Sequence, residues 1–293
     1  MTKIAWASIA LIGVALSWGA GFVLMKDAID QQPVYDFLAT RFLLATIVMI
    51  AVRPKVLRAI NRKLVIKGSI LGSLLGLAYV TQTLGLELST AAITGFLTGL
   101  YVVVTPIMVW LIFKKPVAKK VIVGVVLAFT ALMLISFNGL SVEPGQLWLI
   151  ACAVLFAAHI TGLSAWSSAK DSYALTVVQL ATASVICWAG ALSDGYQAPP
   201  NGFVWLVVFF TAVVATAFAF LIQTWAQSIM DASRVAILLT AEVIFAALIS
   251  VAVGQEELAL RTIIGGTLMV VAMLVVEWPE RKERSPLEQT HFT

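Results

Sequence analysis

Three ionisable side chains, Arg41, His159 and Glu242, lie well inside apolar stretches of the sequence. A charge in mid-membrane costs at least about 2.5 kcal/mol on insertion scales, so these residues are candidates for function. At 1.5 Å of rise per residue, Arg41 and Glu242 are predicted about 10 and about 16 Å from the same membrane face. Two interpretations stay open for them. They form a structural ion pair that fastens two helices, or they contact a substrate or carry a proton.

Two glutamines occur at equivalent places in similar strings. Aligning "GLAYVTQTLG" with "AFAFLIQTWA" matches Gln82 with Gln223 at a spacing of 141 residues. The same spacing recurs along the chain in Gly21 and Gly162, Ala91 and Ala232, Leu97 and Leu238, Ile122 and Ile263, Gly124 and Gly265, and Ala131 and Ala272. This register predicts two homologous halves. The amides either gate opposite ends of a transport route or are static groups inherited from one ancestral helix pair.

The same spacing pairs His159 with Trp18, which predicts related places for both beside a central cavity. A hydrogen-bonded packing role is the alternative for the histidine. Tyr79 and Tyr101 join Trp18 as candidate cavity residues, because amphipathic rings offer a stacking face and a polar edge. The sequence therefore predicts a substrate site made of these four residues together with Arg41 and Glu242.

The positions of glycine and proline indicate how the helices pack and where they can move. Gly68, Gly72 and Gly76 recur every fourth residue, which predicts a smooth helix face for close packing, or alternatively for sliding. Pro106 removes a helical hydrogen bond one turn past Tyr101 and is predicted to kink its helix. We therefore group Pro106 with Gln82 and Gln223 as candidate gating residues.

The elements that must carry these residues follow from composition. The chain has 293 residues, 61% of them hydrophobic and 12% charged, with a mean hydropathy of +0.99, which excludes a water-soluble domain. Ten stretches have the length that a bilayer-spanning helix needs. They are Ile4–Met25, Val34–Val52, Ile66–Leu86, Ala91–Phe113, Val121–Phe137, Leu147–Trp166, Tyr173–Leu192, Phe203–Thr224, Val235–Val253 and Leu260–Val276.

Each half holds five of these stretches. Because five is odd, the second half must enter the membrane from the opposite side, which is the arrangement of inverted repeats. The predicted fold is therefore an all-α membrane protein of ten transmembrane helices, as two inverted five-helix repeats around a central cavity. The first repeat spans 1–138, the second spans 145–279, and 280–293 form a tail.

Lysine and arginine set the predicted orientation. Of the 19 Lys and Arg residues, all but Lys26, Arg41 and Arg261 fall on the side of the N-terminus. The positive-inside rule then puts both termini in the cytoplasm. The net charge of +4 reflects this bias toward the lipid surface and does not indicate nucleic-acid binding.

Four motifs carry a family resemblance across both halves: "SWGAGFVLMK" (17–26), "RFLLA" (41–45), "GFLTGLYVVVTP" (95–106) and "AEVIFAALISVAVGQEEL" followed by "IGG" (241–266). Their order resembles the EamA-type drug/metabolite transporter superfamily, and within it the bacterial aromatic amino acid exporters. The resemblance implies an inner-membrane transporter that exports small amphipathic metabolites, aromatic amino acids foremost, by alternating access. It implies no cofactor.

Other classes fit the residues less well. An intramembrane enzyme needs a nucleophile with a base, or a metal set, and the sequence has neither G-x-S-x-G nor H-E-x-x-H nor a zinc-ligand spacing. A passive channel does not require the inverted repeat. An exporter of drugs or other metabolites from the same superfamily is the nearest alternative. The sequence leaves the oligomeric state open, a monomer included.

Overall fold

The computed structural model describes residues 2–89, 91–114, 116–136, 144–193, 195–254 and 260–278, and no strand occurs in these ranges. The predicted tail 280–293 lies outside the described residues. The helices are α1 Lys3–Ile29, α2 Val34–Val52, α3 Arg62–Glu87, α4 Ala91–Gly99, α5 Tyr101–Phe113, α6 Lys119–Ser136, α7 Pro144–Trp166, α8 Ser172–Ala191, α9 Gly202–Ala212, α10 Ala219–Gln227, α11 Ala232–Leu239, α12 Ala241–Ala252 and α13 Leu260–Glu277. A 3₁₀ turn, Pro54–Arg58, follows α2, and a π-helical turn, Val213–Phe218, joins α9 to α10.

Within the described ranges, seven helical segments are long and apolar enough to cross a membrane, which makes the chain an integral membrane protein. Five of them are α1, α2, α3, α7 and α8. The other two are continuous segments: Gly202–Gln227, which contains the π turn, and Ala232–Ala252, which contains α11 and α12. The three remaining predicted stretches correspond to α4 with α5, to α6 and to α13.

The glycines of α3 fit it closely against α8. A Cβ atom built on Gly72 would lie 2.5 Å from the carbonyl oxygen of Gln179 and 2.7 Å from the Cβ of Thr182. A Cβ on Gly68 would likewise meet the side chain of Val178, at 2.6 Å. The close contact predicted from the glycine spacing is therefore confirmed, because any side chain there would force the two helices apart.

Both halves interrupt a helix near the cavity. Leu100 separates α4 from α5, and Thr240 separates α11 from α12. In each break, the N–H three residues later donates to the carbonyl of the break residue, from Val103 at 3.0 Å and from Val243 at 3.1 Å. Tyr101 is the first residue of α5, and Glu242 is the second residue of α12. Each break therefore leaves one predicted site residue in the first turn of the helix that follows.

Residues 195–201, which we call the strap, lie across one end of the bundle. The strap binds the start of α2 and the turn before it through backbone and side chain. Asp36 Oδ2 accepts from the Gln197 N–H at 2.9 Å, and Gln32 Nε2 donates to the Gln197 carbonyl at 2.9 Å. Asn201 Nδ2 adds a bond to Gln31 Oε1 at 2.7 Å. Asp36 and Gln32 are buried, whereas Gln31, Gln197 and Asn201 are exposed, so the strap joins the surface of this end to buried polar groups of the bundle.

Candidate functional site

A cavity lies between the two halves in the middle of the bundle. The space between its walls is about 490 Å³, of which about 30 Å³ is wide enough for the centre of a water molecule. The cavity is therefore contracted, with room for water but not for a larger molecule. It is lined by Trp18, Gly21, Phe22, Met25, Arg41, Tyr79, Gln82, Thr98, Tyr101, Phe156, Ile160, Ala215, Gln223 and Glu242.

Residues at equivalent positions of the two halves meet each other around this cavity. Tyr101 donates its hydroxyl to Glu242 Oε1 at 3.2 Å, and these two residues are 141 apart in sequence. Tyr79 and Phe220, also 141 apart, pack edge to face with ring centroids 6.0 Å apart. These contacts bring equivalent positions of the two repeats together at the cavity.

Arg41 reaches from α2 into this cavity and is only 2% exposed. Its Nε donates to the Thr216 hydroxyl at 2.8 Å, and its Nη1 lies 3.1 Å from the Met25 sulfur. Its Nη2 lies 3.5 Å both from the Tyr79 hydroxyl and from the Ala215 carbonyl. The guanidinium carbon also stands 4.7 Å from the centre of the Tyr79 ring. All of these partners are neutral.

Glu242 is 3% exposed, and its one hydrogen-bond partner within the described chain is Tyr101. Arg41 and Glu242 line the same cavity without forming the structural ion pair that the sequence left open. Each of these two ionisable groups is thus buried with neutral partners only. Such an arrangement is costly, and it leaves both groups open to a charged ligand.

Trp18 and His159 occupy different surroundings. Trp18 lines the cavity, and its Nε1 donates to the Ala215 carbonyl at 2.8 Å. His159 is fully buried and is not among the described residues that line the cavity. Its Nε2 lies 2.8 Å from Gln179 Oε1. The alternative interpretation of His159, as a hydrogen-bonded packing residue, matches this position.

The two candidate gating amides both line the cavity, but they differ in their partners. Gln82 Nε2 lies 3.4 Å from the Thr98 hydroxyl. Gln223 Nε2 donates to Gln227 Oε1 at 3.0 Å, and Gln227 Nε2 donates to the Ser164 hydroxyl at 2.9 Å. We call this second set, Gln223, Gln227 and Ser164, the amide ladder. It connects the cavity wall to a second space.

That second space, which we call the vestibule, lies at the end of the bundle opposite the strap. Ser164 and Ala165 line it together with the end of α5 and the turn before α11, and about 290 Å³ of it is wide enough for water. Of the ladder residues, Gln223 faces the contracted cavity and Ser164 faces the vestibule. The ladder therefore runs from the lining of the cavity to the lining of the vestibule.

Pro106, the third candidate gating residue, lies outside the described cavity lining. It is buried in α5, and the helix continues through it from Tyr101 to Phe113. It borders an apolar groove between α5 and α6 with Ile107 and Val125. The break in this stretch lies earlier, at Leu100, so the predicted kink at Pro106 is not what interrupts the helix.

Sequence reasoning missed several residues of the site. The meeting of Tyr101 with Glu242 could have been found, because their numbers differ by the repeat spacing. Thr216 and the Ala215 carbonyl gave no such signal, since a π turn has no simple sequence pattern. The described residues hold no group of three His, Cys, Asp or Glu side chains that could bind a metal ion.

An all-helical membrane chain of two repeats, with a mostly apolar cavity between them that holds a few polar groups, has the architecture of a transporter. Its sequence matches the EamA-like transporter family twice, over residues 5–137 and 143–278, and the chain belongs to that family. An uncharacterized transporter of Archaeoglobus fulgidus is 32% identical over 272 residues, which are 92% of this chain and 85% of that protein. A crystal structure with 16% identity matches with a TM-score of 0.78, covering 93% of this chain and 96% of its own, and supports the fold alone.

Proposed function

We propose that this chain is an inner-membrane transporter that exports small amphipathic metabolites, aromatic amino acids foremost, by alternating access. The observation that carries the proposal is a contracted cavity with a guanidinium and a carboxyl group that have only neutral partners in the described chain. A zwitterion supplies the partner that each group lacks: its carboxylate can bind Arg41 and its ammonium group Glu242.

The walls of the cavity support a ring-bearing substrate. Trp18, Phe22, Tyr79, Tyr101 and Phe156 all face the space between the two charges. A well-placed ring pair contributes about 0.5–1.5 kcal/mol beyond the area it buries, so aromatic substrates gain over aliphatic ones. The contracted cavity must widen to admit such a molecule, and the transport cycle supplies that movement.

We also propose ten membrane-crossing helices in two inverted repeats, 1–138 and 145–279, with both termini and the tail 280–293 in the cytoplasm. The contacts between equivalent residues, Tyr101 with Glu242 and Tyr79 with Phe220, support a two-fold relation. The odd number of five helices in each half supports the inverted orientation of the two repeats. The bias of basic residues supports the orientation, in which the strap faces outward and the vestibule faces the cytoplasm.

The two ends of the bundle then act as alternating closures. Breaking the amide ladder would join the cavity to the vestibule, and releasing the strap would open the other end. We assign Gln223 to the inner closure, and Gln82, which lies toward the strap end of α3, to the outer one. Hydrogen bonds between membrane helices contribute about 0.6–2 kcal/mol each, which is small enough to break and re-form in a cycle.

An exporter of drugs or other metabolites is the second candidate, and the mostly apolar wall of the cavity favours it. Its substrates would need a ring and a cation for Glu242, but no carboxylate. The two candidates therefore differ in whether a carboxylate is required at Arg41.

Transport by purified protein in proteoliposomes tests the proposal. Each of the twenty amino acids would be measured with and without a pH gradient, against empty liposomes. We expect saturable transport of tryptophan, phenylalanine and tyrosine above that of leucine and alanine, and a pH-gradient effect if Glu242 carries a proton. Transport of hydrophobic cations without any amino acid would favour the second candidate. Turnover of a lipid or peptide without transport would reject both.

A further inference from the structure

The helix Gly202–Gln227 widens at the cavity into the π turn Val213–Phe218. In an α-helix, the Ala219 N–H would donate to the carbonyl four residues earlier, at Ala215. Here the Ala219 N–H donates to the carbonyls of Val214 and Thr216 and not to that of Ala215. The Ala215 carbonyl is therefore released from this bond and accepts from Trp18 Nε1 instead, at 2.8 Å.

The next residue of the turn holds the arginine. Thr216 is fully buried, and its hydroxyl accepts from Arg41 Nε at 2.8 Å. The Ala215 carbonyl lies 3.5 Å from Arg41 Nη2. Two consecutive residues of the π turn thus contact the guanidinium, one at Nε and the other at one terminal nitrogen.

The terminal nitrogens of Arg41 are left with weak partners. Nη1 lies against the Met25 sulfur, and a thioether is a poor acceptor. Nη2 has two contacts of 3.5 Å, at the limit of a hydrogen bond. An arginine whose Nε is fixed presents these N–H groups in a planar fork, which matches the two oxygens of a carboxylate.

We propose that the π turn Val213–Phe218 determines substrate specificity by orienting Arg41 as a carboxylate subsite, with Thr216 as the positioning residue. This inference rests on the proposed function for the transported molecule, but the subsite itself is a binding property. Thr216 does not contact the substrate. It acts by holding the guanidinium so that the terminal nitrogens face the cavity.

The corresponding segment of the first repeat has no π turn. The positions 141 residues before Ala215 and Thr216 are Leu74 and Leu75, within the regular helix α3. The position equivalent to Arg41 is Thr182, whose hydroxyl bonds the Val178 carbonyl of its own helix at 2.9 Å. The carboxylate subsite is thus built once, on one side of the axis only, so a substrate has one orientation.

The test compares Thr216→Val, which keeps the shape and removes the acceptor, with Thr216→Ser, which keeps the acceptor. Thr211→Val is the matched control, because Thr211 is as buried in the same helix and its hydroxyl bonds only its own turn. Tryptophan, indole-3-propionate and tryptamine are the probes, since the third lacks the carboxylate. Transport and the thermal stabilisation of purified protein by each probe are both measured.

For Thr216→Val we expect the KM of tryptophan to rise about tenfold, as when a charge-assisted hydrogen bond is lost, with tryptamine inhibition unchanged. Thr216→Ser and Thr211→Val should behave as wild type. Equal losses for tryptophan and tryptamine, or no change, would overturn the inference. If the wild type transports none of these probes, the proposed function fails. The subsite then stands only if tryptophan and indole-3-propionate raise the melting temperature of the wild type and of Thr216→Ser but not of Thr216→Val. Absence of any such stabilisation overturns it.

Discussion

Among the contacts between the two halves of the molecule, two seams are equivalent under the repeat but are built differently. In the first, which we call the glycine seam, α3 packs on α8 and Thr182 lies against Gly72. In the second, which we call the charged seam, α2 packs on the helix Gly202–Gln227, and Arg41 contacts Thr216. Arg41 and Thr182 are 141 residues apart, so the same position carries a threonine in one seam and a buried charge in the other.

The difference shows how one ancestral helix pair serves two purposes. Glycines let the backbones of α3 and α8 touch, which leaves no space for a long side chain. The charged seam has Val213 at the position of Gly72, and its π turn releases a carbonyl toward the cavity. The glycine seam therefore fastens the halves together, whereas the charged seam carries the groups that we propose to bind the substrate.

The largest effect is expected from breaking the glycine seam. In Gly72→Val the new Cβ meets backbone atoms of α8, which cannot rotate away, so the destabilisation should exceed the about 1–3 kcal/mol typical of overpacking. We expect loss of most folded protein, measured as monodisperse yield and melting temperature in detergent. Gly13→Val is the matched control, because nothing lies within 4 Å of its Cβ. Equal yields and melting temperatures of the two variants would mean that the glycine seam does not stabilise the contact between the halves.

Removing the charge from the other seam should separate stability from function. Arg41→Met fills a similar volume without burying a charge, so the melting temperature should stay the same or rise. Tryptophan transport should fall about 30-fold or more, because loss of a buried charged partner costs about 2 kcal/mol or more. Thr182→Val, at the equivalent position of the glycine seam, should leave transport unchanged. A destabilised Arg41→Met with normal transport would assign the charge a structural role.

The paired amides should shift access in opposite directions. Gln223→Leu breaks the ladder and should raise thiol labelling of cavity cysteines from the vestibule side, and Gln82→Leu should raise it from the strap side. Bonds of about 0.6–2 kcal/mol correspond to changes of about 3- to 30-fold. The effect should be larger for Gln82, whose bond to Thr98 joins α3 to α4, than for Gln223, whose bond to Gln227 lies within α10. Shifts in the same direction would mean that both amides only pack.

The smallest effect concerns Arg41 and Glu242 themselves. Because their partners are Thr216 and Tyr101 and not each other, the changes in unfolding free energy for Arg41→Met and Glu242→Gln should add within about 0.5 kcal/mol. Thermal unfolding of both single variants and the double variant in the absence of substrate measures this. A strongly non-additive double variant would reveal a direct pair that the structure does not contain.

Much of this arrangement could be predicted from the sequence, because membrane helices show themselves by length and hydropathy and the repeat by its spacing. The cavity residues Trp18, Arg41, Tyr79, Tyr101 and Glu242 were all predicted together. Depth along a helix, however, fixes neither rotation nor neighbours. His159 therefore lies outside the cavity lining, bonded to Gln179. Arg41 donates to Thr216 and not to Glu242.

The π turn marks where prediction from sequence ends. Its residues, "VVATAF", are as apolar and small as those of an ordinary membrane helix. The wider turn is contacted by α2 and α1, through Arg41 and Trp18. Such contacts between distant parts of the chain leave no local pattern, and a structure is needed to find them.

The central claim is that the cavity carries a zwitterion between two buried charges, and one measurement tests it most directly. Counterflow of radiolabelled tryptophan in proteoliposomes would be inhibited by unlabelled tryptophan, tryptamine or indole-3-propionate. We expect each charged group of tryptophan to contribute at least about 1.4 kcal/mol to its binding free energy. Tryptophan should therefore inhibit at about tenfold lower concentration than either analogue. Counterflow that tryptamine inhibits as well as tryptophan does, or no counterflow at all, would contradict it.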